Sequence, residues 1–149
     1  MDDFEFPECT TFGSVIRFAL ELERAAMAVY DDLAGRPDLA QAAESFKVLS
    51  AAHKKRSDVL EHTRREKLNE MILEPIQDLD GSKYKIETKV PDGVDMAGAK
   101  AFSAKMEGVS GSFYLDASTI AKFLLAEAAR ILERMGKESQ ANKAKVEAL

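Results

Sequence analysis

The most constraining stretch of this chain is Val15 to Ala34, VIRFALELERAAMAVYDDLA, because it sets a carboxylate into an apolar helix face. Ile16, Ala19, Leu20, Met27, Tyr30 and Ala34 recur at three- and four-residue steps. They therefore share one side of a helix, and that side must be buried. Glu23 lies on the same side, four residues from Ala19 and Met27 and seven from Ile16 and Tyr30, whereas Glu21 aligns with Arg17 and Arg24 on the wet side. A glutamate is almost never fully buried without a partner. Whatever faces Glu23 thus defines the chemistry of the chain.

The rest of the pattern predicts helices around that stretch. Residues 1 to 10 read as an irregular arm broken by Pro7, with Phe4, Phe6 and Phe12 available to pin it to a core. Thr10 or Thr11 is the expected cap of a first helix over 12–34, stopped by Gly35-Arg36-Pro37, after which Asp38 can cap the next. A second helix is expected over 39–74, its apolar stripe formed by Phe46, Leu49, His53, Leu60 and Met71, ending at Pro75. Residues 76–111 break the periodicity. Asp80-Gly81-Ser82 and Pro91-Asp92-Gly93 are turn signals, Tyr84, Ile86, Thr88 and Val90 alternate as an extended segment does, and a short helix fits 95–106 before Gly108 and Gly111. This segment reads as a crossover between two helical hairpins. A third long helix is expected over 113–135, with Ile120, Phe123, Leu124, Ile131 and Met135 buried, Glu127 among them, and Gly136 as its terminator. A short fourth helix over 137–149 completes a single all-α domain spanning 1–149.

Composition narrows the function classes. A net charge of -5, with basic runs at His53-Lys54-Lys55-Arg56 and Arg64-Arg65 interrupted by acids, argues against a nucleic-acid partner. Such runs read first as solvated helix faces. Cys9 is the single cysteine, which excludes an intramolecular disulfide and favours a reducing compartment. No apolar run reaches the ~20 residues of a membrane span, and the acidic start MDDFEFPE lacks the features of a signal peptide. A cytoplasmic protein is expected, with His62 facing solvent.

The segment Glu23-Arg24-Ala25-Ala26-Met27-Ala28-Val29-Tyr30, followed by Asp31-Asp32-Leu33-Ala34, together with Phe46 and Leu49 opening helix two, resembles the ferritin-like superfamily and its rubrerythrin branch. The resemblance covers the first three helices, about two-thirds of the chain. It implies a bundle of two antiparallel hairpins joined by a long crossover. It further implies a carboxylate-bridged dimetal centre built from one Glu on each of two helices and a Glu-x-x-His on each of the other two.

This chain departs from that pattern. His53 stands where the family glutamate is expected and Arg56 where its histidine is expected, and arginine has no lone pair for a cation. The sequence ends at Glu147-Ala148-Leu149 in mid-pattern, which leaves open a longer form carrying further ligands. The resemblance therefore implies at most a partial metal site for iron or manganese at Glu23, His53 and Glu127. The alternative occupant is Arg56, paired in two-pronged fashion with Glu23 or Glu127 as a structural ion pair. Two function classes follow. One is a bundle that has lost its di-iron site and serves as a structural or interaction module, without catalytic residues and as a homodimer that covers the faces left exposed by a short fourth helix. The other is a rubrerythrin-like oxidoreductase, a peroxidase or iron oxidase, working with the reduced ligand set.

Overall fold

The computed structural model describes residues 4–66, 75–122 and 126–149. Four long helices account for most of them: α1 (Phe12–Ala34), α2 (Ala43–Glu66), α3 (Met96–Ala121) and α4 (Ala126–Glu147). Two short 3-10 turns, Pro37–Ala42 and Gly81–Tyr84, precede α2 and interrupt the crossover. No strand occurs among the described residues. The protein is all-α, a four-helix bundle.

Local chemistry explains the helix starts. Thr11 and Ser14 form a reciprocal capping box at α1, each side chain accepting from the other's backbone N–H, and Asp95 caps α3 by accepting from Gly98 N. The helix expected from residue 39 begins with the 3-10 turn instead. Its last expected turns, residues 67–74 with Met71, lie outside the described residues, as do Phe123 and Leu124.

The second half of the chain corrects the sequence expectation. What reads as a short helix, a glycine loop and the start of another helix is one continuous helix, α3, and α4 runs unbroken through Gly136. The reason is close approach of two backbones. A Cβ on Gly136 would lie 2.8 Å from the Leu115 side chain and 3.3 Å from the Gly111 carbonyl, and one on Gly111 would lie 3.4 Å from the Gly136 carbonyl. These glycines are where α3 and α4 touch, so they serve packing within helices and not helix termination. The fourth helix is consequently full length. Among the described residues the large exposed apolar side chains are Val48 and Leu149.

Helix directions follow from the contacts. Glu23 meets His53 and Arg56 while Asp31 meets Ser50, so α1 and α2 are antiparallel. Gly111 faces Gly136 while Lys100 reaches Leu149, so α3 and α4 are antiparallel. Phe18 stacks on Phe113 while Tyr30 bonds Glu107, so α1 and α3 are antiparallel as well. Hence α2 and α3 point the same way, and the connection between them must return along the bundle. It does so beside α1. Ile76 N donates to Thr10 O at 2.9 Å at one end, and Arg36 holds the other by donating to Pro91 O at 2.6 Å and Val90 O at 3.1 Å. In between, Ile86 and Val90 are buried while Lys85, Glu87 and Lys89 are exposed. The alternation read from the sequence is present, yet no partner strand accompanies it among the described residues.

α1 is the central helix. Its buried side is wider than the stripe defined by Ile16, Ala19 and Tyr30, for Phe18, Leu22, Ala25, Val29 and Leu33 are buried too. Leu20, Met27 and Ala34 are only half-buried. Contact with α2 and α3 together leaves little of this helix for solvent.

Candidate functional site: a buried charge cluster

Each helix sends polar side chains into the middle of the bundle. From α1 come Glu23 and Tyr30, seven residues apart; from α3 come Glu107 and Tyr114, also seven apart. α2 contributes His53 and Arg56, three apart, and α4 contributes Ser139 and Asn142, three apart. Both spacings keep a pair on one helix face. Glu23 and Glu107 are 0% exposed, His53 1% and Arg56 4%.

His53 lies between the two carboxylates. Its Nδ1 is 2.7 Å from Glu23 Oε1 and its Nε2 is 2.8 Å from Glu107 Oε2. With both ring nitrogens against carboxylate oxygens, the imidazole bonds both only as the doubly protonated imidazolium. Burial acts to lower its pKa, but the Glu23 and Glu107 charges, with the hydrogen bonds they accept, carry it up to about 9. Arg56 Nη2 donates to Glu23 Oε2 at 3.0 Å and to Ser139 Oγ at 2.8 Å, and the guanidinium carbon sits 5.3 Å from the Tyr114 ring centroid. Burial raises the Glu23 carboxyl, yet the charges of Arg56 and His53 and the hydrogen bonds from His53 and Tyr114 outweigh it and hold this group below the usual carboxylate range.

The tyrosines cross over. Tyr30 of α1 donates to Glu107 of α3 at 2.5 Å, and Tyr114 of α3 donates to Glu23 of α1. Burial, then the neighbouring carboxylate, pushes both phenols upward in pKa, so both remain protonated donors. The Tyr30 ring also stacks on His53 with centroids 5.6 Å apart. Two carboxylates, one imidazolium and one guanidinium sum to zero, which is how four ionisable groups share a water-excluded interior. Arg56 Nε and Nη1, Glu107 Oε1 and Ser103 Oγ are buried without a hydrogen-bond partner among the described residues.

Glu23, His53 and Arg56 occupy this cluster. Glu127 does not: it is exposed in the first turn of α4, and the expectation that it is the second inward acid is corrected to Glu107. Arg56 pairs with Glu23 through one nitrogen and not in the two-pronged manner expected. Half of the run His53-Lys54-Lys55-Arg56 faces inward and half is solvated, and His62 is exposed. Sequence reading missed Glu107, Tyr114, Ser139 and Asn142. A signal existed for the first two, since Glu107 to Tyr114 repeats the spacing of Glu23 to Tyr30, but Gly108 and Gly111 made that segment look like a loop.

The donor set does not suit a dimetal centre. Both His53 nitrogens are spent on carboxylates, Arg56 brings fixed positive charge to the oxygen a metal would take, and Ser139 and Asn142 are weak ligands for iron or manganese. Among the described residues no group of three His, Cys, Asp or Glu side chains is arranged to hold a metal ion. Compared with family models, with curated proteins and with solved structures, the chain has no match in any of the three.

Proposed function

We propose that this protein is a ferritin-like bundle of the rubrerythrin type in which the dimetal centre has been replaced by an internal salt cluster, so that the fold serves as a structural or interaction module. The observation that carries the reading is His53, an imidazolium held between Glu23 and Glu107 where a bridged metal pair stands in such bundles. The helix directions support it, because parallel α2 and α3 joined by one long crossover is the ferritin-like connection. The inward positions support it too. One Glu comes from each of α1 and α3, while the two Glu-x-x-His pairs have become His53-x-x-Arg56 on α2 and Ser139-x-x-Asn142 on α4. The four helices bury one another's faces, so this reading does not depend on a homodimer. The charge of -5 and the single, buried Cys9 fit a cytoplasmic protein without a nucleic-acid partner. No described helix is long and apolar enough to cross a membrane.

Elemental analysis of protein purified without added metal is the direct test. The expected content of iron and manganese is far below one atom per chain; a near-stoichiometric amount would overturn this reading in favour of the metal-binding alternative. A second experiment addresses the ancestry of the core. The variant carrying His53→Glu, Arg56→His, Ser139→Glu and Asn142→His restores both Glu-x-x-His pairs. It should bind about two Co²⁺ per chain and gain thermal stability on doing so, since metal binding to the folded state adds to its stability. A folded variant that takes up no cobalt would remove the ferritin-like assignment.

A further inference from the structure

A groove on the opposite side of α3 from the salt cluster's partners on α1 gathers charge of one sign. It has a volume of about 400 Å³, within the range of small-ligand sites, and is lined by the Gly81–Tyr84 turn, α3 and α4. Lys83, Lys105 and Lys143 enter it from these three elements, and no carboxylate is among its lining residues. In a chain with 26 acidic against 21 basic side chains this is an unusual concentration. None of the three lysines has a hydrogen bond or ion pair among the described residues. Two carboxylates stand beside the groove: Asp80 accepts from the backbone and hydroxyl of Ser82 and interacts electrostatically with Lys83, and Asp116 accepts from the Tyr84 hydroxyl at 2.5 Å.

A second observation comes from the floor. Glycine inside a helix is disfavoured relative to alanine, and Gly111 and Gly136 offset this by letting α3 and α4 touch. Gly108 has no such reason. A Cβ there would meet only the aliphatic stem of Lys143, at 3.8 Å, an ordinary contact. Gly108 lines the groove, and its missing side chain leaves that part of the wall bare beside the Lys143 stem.

We propose that this groove binds a small phosphate-bearing solute, its multiply charged phosphate held by Lys83, Lys105 and Lys143 and its organic body resting on Gly108, Val109 and Tyr84. Three separate ammonium groups match a group carrying two or more negative charges better than a single carboxylate, and lysine is a standard point-charge partner for phosphate. Three like charges converging on one groove repel one another, and a bound polyanion converts that repulsion into attraction.

The test is an NMR titration of the full chain with tripolyphosphate at constant ionic strength. Saturable shifts confined to the amides around Gly108, Val109 and Ser112 are expected, with affinity falling at least tenfold in the K83Q/K105Q/K143Q variant. Gly108→Leu, which fills the floor, should weaken binding of a nucleoside diphosphate more than that of tripolyphosphate. Shifts of equal size at Lys47, Lys54 and Lys55 on α2, a titration that does not saturate, or unchanged affinity in the triple variant would overturn the proposal. So would binding to vesicles containing phosphoinositides with no response to tripolyphosphate, which would place the phosphate on a membrane and not on a solute.

Discussion

His53 on α2 and Glu107 on α3 are 54 residues apart in sequence and 2.8 Å apart in space, Nε2 to Oε2. The other ring nitrogen is 2.7 Å from Glu23 on α1, so one imidazolium ties three helices together at the centre of the bundle. Removing its proton leaves a lone pair facing a carboxylate in a fully buried site.

Stability should therefore depend on pH on the alkaline side. The His53 pKa is about 9 in the folded protein against 6.5 for an ordinary histidine, so its contribution is full below pH 6.5 and is lost as pH rises through 9. At ~1.36 kcal/mol per unit the loss is roughly 3 kcal/mol. Glu23 acts in the opposite direction. Its carboxyl is held below 4.5, so its contribution is present above that pH and is lost as pH falls through the folded value. Urea midpoints between pH 6 and 10 should decline in the native protein and stay level in His53→Gln; a flat profile in the native chain would mean that His53 is not the bridging cation.

Arg56→Met abandons the charge of Glu23 to a single cationic partner. Breaking a buried pair on one side costs ~3–5 kcal/mol. For a chain of this length the expected fall in Tm is roughly 10–16 °C. Combining it with Glu23→Gln should cost less than the sum of the two single changes, and strict additivity in that cycle would show that the two side chains are not coupled.

Tyr30→Phe and Tyr114→Phe each delete one hydrogen bond to a buried carboxylate, worth ~1.5–3 kcal/mol. Because the tyrosines cross, the coupling has a defined pattern. Tyr30→Phe should be non-additive with Glu107→Gln, and Tyr114→Phe with Glu23→Gln, in denaturant unfolding. Strong coupling within one helix, Tyr30 to Glu23 and Tyr114 to Glu107, would contradict the arrangement.

The helix glycines should divide by sign. Gly136→Ala drives a methyl to 2.8 Å from Leu115 and should destabilise by ~1–3 kcal/mol, despite alanine's better helix propensity. Gly108→Ala meets only the Lys143 stem and should stabilise by up to ~1 kcal/mol. Equal effects at the two positions in thermal unfolding would mean that α3 and α4 do not approach at Gly136.

How far the site was legible in the sequence can be argued residue by residue. Glu23 was readable because a carboxylate at the periodic positions of an apolar stripe has nowhere else to point. Arg56 was readable because a guanidinium at a ligand position is chemically conspicuous. Glu127 was misread because its offsets within the stretch 113–135 imitate those of Glu23, and periodicity is blind to where a helix begins; it falls in the first turn of α4, at the bundle's edge. Glu107 was missed because glycine carries opposite meanings, a loop when nothing is near it and a contact point when another backbone is.

Side-chain spacing along one helix is a local property, and it placed Glu23 and His53 on inward faces, narrowed the first cap to Thr10 or Thr11 and gave the helix class of the protein, while the family resemblance brought Arg56 to the same site. The choice of Glu107 over Glu127 as the second acid, the continuity of α3 and α4 through their glycines, and the protonation of His53 depend on distances between helices far apart in the chain. Those distances were decided by packing, because an interior that excludes water accepts only the arrangement in which every buried charge finds its opposite.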